Sequence, residues 1–175
     1  MSDTVFVQPG GALPMPVPPV TGEELFSVLP HRGKMFLISR ILDYSVQGRS
    51  LRSEYDITEG CLFYDPLIGG VPSWASFEFM AQAVSALSGL TGRFFGKPPL
   101  LGFILSVLSL ETRLPFFRAG SVIQVQIAEE VKMDSVSTFR CRTSLDGSIA
   151  AGAKLTVMDV EDPSVFFKKD NHGKQ

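Results

Sequence analysis

The chain reads PSWASFEFMAQAVSALSGL from Pro72 to Leu90, and this stretch decides the fold. Glu78 is the only charged residue in an otherwise apolar or small-residue run. Pro is favoured in the first turn of a helix, and a run of this length fits a helix better than a strand. We therefore predict a long buried helix over about residues 72–92. It is not predicted to span a membrane, because a central acid costs ~3 kcal/mol on insertion scales.

Glu78 is the first candidate for a functional residue. Burying an unpaired carboxylate costs several kcal/mol, so an isolated acid in an apolar helix indicates either a reactive site or an ion pair with a distant arginine. Trp74, Glu78 and Gln82 follow at i, i+4 and i+8, which predicts that they share one helix face. The two polar side chains would then point into the same small volume.

The composition fits one domain. The chain has 175 residues, a formal net charge of -2 and 45% hydrophobic residues, including 14 Phe. One core accommodates this length, and the apolar excess favours burial against a second subunit. Nucleic acid is not an expected partner, because the only adjacent basic pair is Lys168-Lys169. Cys61 and Cys141 lack metal-ligand spacing, which predicts reduced thiols, a cytoplasmic protein, and no metal or other cofactor.

Three regions are predicted along the chain. Residues 1–20 hold five of the 12 prolines and are expected to form a flexible arm. Residues 21–160 are expected to form a single domain that opens with a short helix, and residues 161–175 a polar tail. Apolar alternation predicts strands over residues 35–44, 50–57, 101–114, 122–132, 137–145 and 150–160. One long helix among these strands predicts an α+β fold, with a sheet wrapped around a helix.

Two motifs resemble the β-hydroxyacyl-acyl carrier protein dehydratase family. Residues 29–41, LPHRGKMFLISRI, are similar to the family's L-P-H-R-x-x-x-L-L-[IV]-D-R-[VI]. Residues 78–83, EFMAQA, look like its E-x-[ML]-A-Q-A, and weaker likeness covers roughly residues 24–158. Residues 69–82 look closest to a divergent branch of predicted dehydratases associated with aryl-polyene-type gene sets. The resemblance implies the hotdog fold, an antiparallel sheet curled round a central helix, and a homodimer or a higher oligomer of dimers.

The resemblance also implies an activity. Members of the family eliminate water from 3-hydroxyacyl thioesters, with a helix acid and a loop histidine contributed by opposite subunits. Glu78 matches the acid, the Ser73 N–H matches the group that faces the thioester oxygen, and Gln82 would orient Glu78 or the leaving water. Gly70 and Trp74 belong to the same implied substrate-binding stretch. The implied substrate is a thioester of acyl carrier protein or coenzyme A, in fatty acid or polyene-type lipid biosynthesis.

The family's loop histidine is absent. Counting back from Glu78 without gaps, its position falls at Tyr64. Only His31 and His172 exist in the chain, and His172 lies in the polar tail. His31, in the first motif, is either the catalytic base or a structural histidine. Tyr64 is either a substitute base or an aromatic that closes the acyl tunnel, and a phenol of pKa ~10 is a poor base.

Three functions therefore remain open on the sequence alone. The leading hypothesis is a dehydratase with Glu78 as acid or water-orienting group, the Ser73 N–H facing the thioester oxygen, and His31 as base. The second is an acyl thioesterase, since one helix carboxylate on the same fold can direct water at a thioester carbonyl. The third is a non-catalytic acyl-binding or scaffold subunit, which would explain the missing histidine.

Overall fold

The computed structural model describes residues 14–97 and 101–160. One antiparallel sheet is made of β1 (Arg40–Ser45), β2 (Ser50–Asp56), β4 (Leu101–Thr112), β6 (Val122–Met133), β7 (Val136–Leu145) and β8 (Ser148–Val160). The strand order across this sheet is β1-β2-β6-β7-β8-β4. A second sheet pairs β3 (Gly70–Pro72) with β5 (Phe116–Arg118). The large sheet therefore ends at β1 on one side and β4 on the other.

A single long helix fills the inner face of the large sheet. A 3₁₀ turn at Ser73–Ala75 leads into α2 (Ser76–Phe94), and the shorter α1 (Gly22–Val28) packs against α2. The helix α2 contacts β2, β4, β6, β7 and β8, so the sheet curls round it. Its buried apolar residues recur at helical spacing: Phe79, Met80, Ala83, Leu87 and Leu90. Among the described helices, none is long and apolar enough to cross a membrane.

Alternation along the strands creates the face that covers α2. In β6, Ile123, Val125 and Ile127 are buried, whereas Gln124 and Gln126 are exposed. Successive side chains of a strand point to opposite faces, so one face forms the core and the other faces solvent. The predicted strands after residue 100 agree with β4, β6, β7 and β8, and the helix prediction agrees with α2 and its 3₁₀ turn.

The strand predicted over residues 35–44 is wrong in its first half. Gly33–Met35 form a 3₁₀ turn and β1 begins only at Arg40. The Leu37 N–H donates to the side chain of Gln82 at 3.0 Å instead of to a neighbouring strand. A short apolar run has the same sequence pattern in a strand and in a buried irregular segment. The pattern alone therefore could not show that the strand begins at Arg40. We call residues 29–39 the pre-β1 segment.

The end of the predicted N-terminal arm packs against β1. Val20 is fully buried and forms a β-bridge with Ile41, and the Tyr44 hydroxyl donates to the Pro16 carbonyl at 2.6 Å. Residues 16–20 are thus tied to the domain that was predicted to start at residue 21. The first 13 residues of the arm and the predicted tail at 161–175 lie outside the described residues.

Gly89 sets the distance between α1 and α2. A Cβ at this position would lie 1.9 Å from the Val28 carbonyl oxygen. Alanine is normally better than glycine in a helix by ~1 kcal/mol, but here the added methyl group would overlap a backbone atom that cannot rotate away. We expect Gly89→Ala to lower the free energy of unfolding by about 3 kcal/mol, measured by urea denaturation.

Ser88→Ala is the matched control for this prediction. Ser88 is the neighbouring residue of the same helix and is only partly buried. We expect its change in unfolding free energy to stay below about 1 kcal/mol. An unchanged urea midpoint for Gly89→Ala would contradict the close approach of the two helices.

Candidate active site

Glu78 stands in the first turn of α2 and faces a small cavity. Its side chain is partly buried, and the N-terminal end of a helix favours a negative charge. The cavity, which we call the Glu78 cavity, has a volume of about 140 Å³. It is lined by residues from α2, the pre-β1 segment, β4 and β8, including Glu78, Ser85, Ser88, His31, Ile104 and Asp159. The predicted acid therefore lies beside a cavity, and it forms no ion pair with a side chain of residues 14–97 or 101–160.

Gln82 holds Glu78 and the pre-β1 segment together. Its amide nitrogen donates to the Glu78 carboxylate at 3.0 Å and to the Met35 carbonyl at 2.7 Å. Its amide oxygen accepts the Leu37 N–H at 3.0 Å. The residue is fully buried, and a buried amide with its hydrogen bonds satisfied has one stable orientation. Gln82 is thus hydrogen-bonded both to Glu78 and to the segment that carries His31.

His31 reaches the same cavity as Glu78 within one chain. It is partly buried, and its Nδ1 atom is buried without a hydrogen-bond partner among the described residues. Burial lowers the pKa of His31 below its ordinary 6.5, the charge of Glu78 partly opposes this shift, and Arg32 adds to it. A neutral imidazole with an unpaired ring nitrogen can accept a proton near neutral pH.

The effect of Glu78 on His31 can be measured directly. We expect nuclear magnetic resonance titration of the histidine side chains to place the His31 pKa below 6.5. In Glu78→Gln the His31 pKa should fall further, because the carboxylate that raises it is gone. The signal of the other histidine of the chain, His172, is recorded in the same titration for comparison. An equal His31 pKa in the unmodified chain and in Glu78→Gln would contradict the placement of both side chains at one cavity.

Tyr64 does not join this pair within one chain. Its N–H donates to the Cys61 carbonyl at 3.0 Å, and its ring packs at the edge of the core. It is not among the described residues that line the Glu78 cavity. Its role, as a substitute base or as an aromatic that closes the acyl tunnel, stays a prediction.

The start of α2 contradicts the role predicted for the Ser73 N–H. This N–H donates to the Pro115 carbonyl at 3.1 Å, and the Ser73 hydroxyl donates to the Leu114 carbonyl. The cause is strand pairing: Pro72 lies opposite Phe116, and the Ser73 N–H extends the ladder by one bond. It is therefore already occupied and not free for a thioester oxygen.

Two other predicted binding residues have different surroundings from those expected. Trp74 is 50% exposed and packs edge-on against Phe63, with ring centroids 5.6 Å apart, so the predicted shared face holds only for Glu78 and Gln82. It lies in the 3₁₀ turn, where the i, i+4 spacing of an α-helix does not apply. At Gly70, a Cβ would lie 2.2 Å from the Phe117 carbonyl oxygen, so glycine is needed there for close packing of β3 on β5.

Sequence reasoning missed several residues that line the cavity. Ser85 and Ser88 lie seven and ten residues after Glu78, and helical periodicity could have placed them on its face. Asp159, at the end of β8, had no local signal. Burial raises the pKa of the Asp159 carboxyl, and the positive charges of Lys132 and Arg49 partly oppose this shift.

Within the described ranges, no group of three or more His, Cys, Asp or Glu side chains is placed to hold a metal ion. Both cysteines are free there, and burial raises the pKa of the Cys141 thiol to about 12. The Cys141 thiol therefore stays protonated near neutral pH, and thiolate is the form that binds metals or attacks substrates.

The family model and two curated relatives that match this chain are all named as dehydratases. The family model "ApeP-like: ApeP dehydratase" matches residues 23–168. The 3-hydroxyacyl-[acyl-carrier-protein] dehydratase FabZ of Psychromonas ingrahamii is 28% identical over 142 residues, or 76% of this chain and 89% of that protein. FabZ of a Shewanella species is 30% identical over 139 residues, or 75% and 87% of the two chains.

Solved structures are similar in fold. The dehydratase heterocomplex ApeI:P from Xenorhabdus doucetiae superposes with a TM-score of 0.74 at 20% identity, over 82% of this chain and 95% of that chain. A putative thioesterase from Ralstonia eutropha superposes with a TM-score of 0.54 at 22% identity, over 67% and 82%. Together with the sheet wrapped round α2, these matches confirm the predicted hotdog fold.

Proposed function

Because the chain belongs to the ApeP-like dehydratase family, we propose that it eliminates water from 3-hydroxyacyl thioesters, with His31 and Glu78 as its acid–base pair. The observation that carries this proposal is the Glu78 cavity, into which one chain brings a carboxylate and an imidazole. The FabZ relatives are named for acting on substrates bound to acyl carrier protein, which supports a carrier-bound substrate here.

The chemistry needs one base and one acid. The hydrogen α to the thioester carbonyl is weakly acidic, so a base must remove it while the hydroxyl at the next carbon is protonated and leaves as water. His31 in its neutral form accepts the α-proton, and the electron pair of that C–H bond becomes the new carbon–carbon double bond. This step needs Glu78 in its protonated form, in which the side chain, held by Gln82, gives its proton to the leaving hydroxyl. Proton transfer from His31 back to Glu78, directly or through water, restores the starting state.

The thioester oxygen needs hydrogen-bond donors while negative charge develops on it. The first N–H groups of a helix have no partner inside the helix. The Ser73 N–H already donates to the Pro115 carbonyl. In our proposal the thioester oxygen is therefore bound by the next N–H groups, those of Trp74 and Ala75. The positive end of the helix dipole adds to their effect.

We also propose that the site is completed by a second subunit. At one edge of the large sheet, β4 pairs with β8 and with no other strand in the described part of the chain, and it exposes Ile104, Leu105 and Leu108. Ile104 also lines the Glu78 cavity. An exposed apolar edge strand readily pairs with another chain, so a dimer through β4 would cover the cavity and bury this surface. The partner is a second copy or a related hotdog subunit, and the ApeI:P structure is described as a heterocomplex.

One assay tests the proposed reaction against its alternatives. The purified protein is incubated with 3-hydroxyacyl and 2-enoyl thioesters of acyl carrier protein and of coenzyme A, and products are followed by mass and by thiol release. We expect interconversion of hydroxyacyl and enoyl thioesters, with the thioester intact. Release of free thiol would support a thioesterase, in line with the fold of the Ralstonia protein. Saturable binding without turnover would support a scaffold subunit.

A further inference from the structure

A second and larger cavity is lined by another part of the pre-β1 segment, residues 33–39. Its volume is about 470 Å³, compared with about 140 Å³ for the Glu78 cavity, and the two share no lining residue. We call it the Lys34 cavity. Its wall comes from residues 33–39, the end of β2 and the following loop to Cys61, and Phe79 of α2. Its volume falls in the range of about 300–1,000 Å³ that is typical of small-molecule sites.

The floor of the Lys34 cavity is apolar. Phe36, Ile38, Ile57 and Phe79 line it, and three of these four belong to the buried core. The hydroxyl of Tyr55, which also lines the cavity, is occupied because it donates to the Phe79 carbonyl. Such a floor recognises hydrocarbon by removing it from water.

Two polar side chains of the wall, those of Ser39 and Asp56, already have hydrogen-bond partners in the protein. The Ser39 hydroxyl accepts the Asp56 N–H at 2.9 Å. Both oxygens of Asp56 accept hydrogen bonds from the Arg40 guanidinium, at 2.6 and 3.1 Å. The negative charge of Asp56 is thereby neutralised in a bidentate pair.

Lys34 differs from these groups. It is exposed on the wall of the cavity, and no acidic side chain within residues 14–97 or 101–160 lies at ion-pair distance from it. The cavity therefore combines an apolar floor with one uncompensated cation.

We propose that the Lys34 cavity binds a medium-chain fatty carboxylate, with its hydrocarbon on the apolar floor and its carboxylate at Lys34. A single-chain anion matches both features, whereas a fully polar ligand would leave the floor wet and an amphipathic cation would be repelled by Lys34. This site is distinct from the Glu78 cavity and does not depend on the reaction proposed there.

Calorimetric titration of the whole chain with decanoate and with decanol tests this proposal. We expect saturable binding of decanoate, and an affinity that falls up to about fourfold for each methylene removed from the chain. Lys34→Ala should weaken decanoate binding by about twofold to fivefold and leave decanol binding unchanged, because only decanoate carries the charge. Lys97→Ala, which removes an exposed lysine that does not line the cavity, should change neither.

A second variant removes the space instead of the charge. Gly60 lines the cavity on an exposed loop, and a Cβ there would meet only Thr58 Oγ1, at an ordinary 3.6 Å. Gly60→Phe should therefore keep the fold and weaken both decanoate and decanol at least tenfold. Its folding is checked by the same urea midpoint as the unmodified chain.

Glu78→Ala separates this site from the reaction. Decanoate should bind this variant as well as it binds the unmodified chain, whatever the outcome of the dehydratase assay. The proposal would be overturned by loss of decanoate binding in Glu78→Ala, by tighter binding of decylamine than of decanoate, or by an absence of saturable binding.

Discussion

Glu78→Gln is expected to lower kcat for dehydration by about 10³-fold while the fold stays intact. Glutamine has nearly the same shape as glutamate and can keep the hydrogen bond to Gln82, but it cannot donate a proton to the leaving hydroxyl. The loss should appear in kcat, because the proton is needed in the transition state more than in the bound substrate. The measurement is the rate of enoyl thioester formation, with thermal unfolding recorded on the same preparation.

Glu23→Gln is the control for this substitution. Glu23 is an exposed acid in α1 and does not line the Glu78 cavity. The Glu23→Gln variant should therefore have the same kcat as the unmodified chain. Full activity of a folded Glu78→Gln variant would reject Glu78 as the acid, and with it the proposed mechanism.

His31→Gln should lower kcat/KM by about 10²-fold to 10³-fold. The unmodified enzyme needs neutral His31, so kcat/KM should rise with pH through a midpoint below 6.5, the direction in which burial moves this pKa. In His31→Gln this acidic limb should disappear. If His31 were only structural, His31→Gln would be less stable but would keep the acidic limb of kcat/KM. The pH profile of the variant therefore distinguishes the two roles.

His172→Gln provides the matched control, since it removes the other histidine of the chain. Its pH profile and rate should be unchanged. Unaltered turnover in His31→Gln, combined with loss of turnover in a Tyr64→Phe variant, would instead point to the tyrosine loop as the source of the base. No turnover in any form, with intact acyl binding, would favour the scaffold alternative.

Much of the fold was predictable because its signals are local. The apolar run that contains Phe79, Met80, Ala83 and Leu87 repeats at helical spacing, and it became α2. Alternation at Ile123, Val125 and Ile127 predicted β6 and the face it turns inward. Glu78 stood out because an acid is rare in such a helix, and the structure places it beside a cavity.

Other predictions failed where a distant partner decided the outcome. Residues 36–39 resemble a strand, yet the Leu37 N–H binds the Gln82 side chain, so the strand starts later. The Ser73 N–H resembles a free donor at a helix start, yet the pairing of β3 with β5 places the Pro115 carbonyl on it. Neither contact has a signature in the residues near its own position.

The sequence by itself determined the positions of α2 and most strands, the α+β class and the identity of the isolated acid, because hydrophobic period and local composition are written in neighbouring residues. Only the tertiary structure decided which groups meet at that acid. His31 lines the same cavity as Glu78 because Gln82 anchors the pre-β1 segment to α2, and Asp159 and Ile104 line it because β8 and β4 pack beside the same helix. These are contacts between residues far apart in the chain, and they form only when the whole sheet closes around α2.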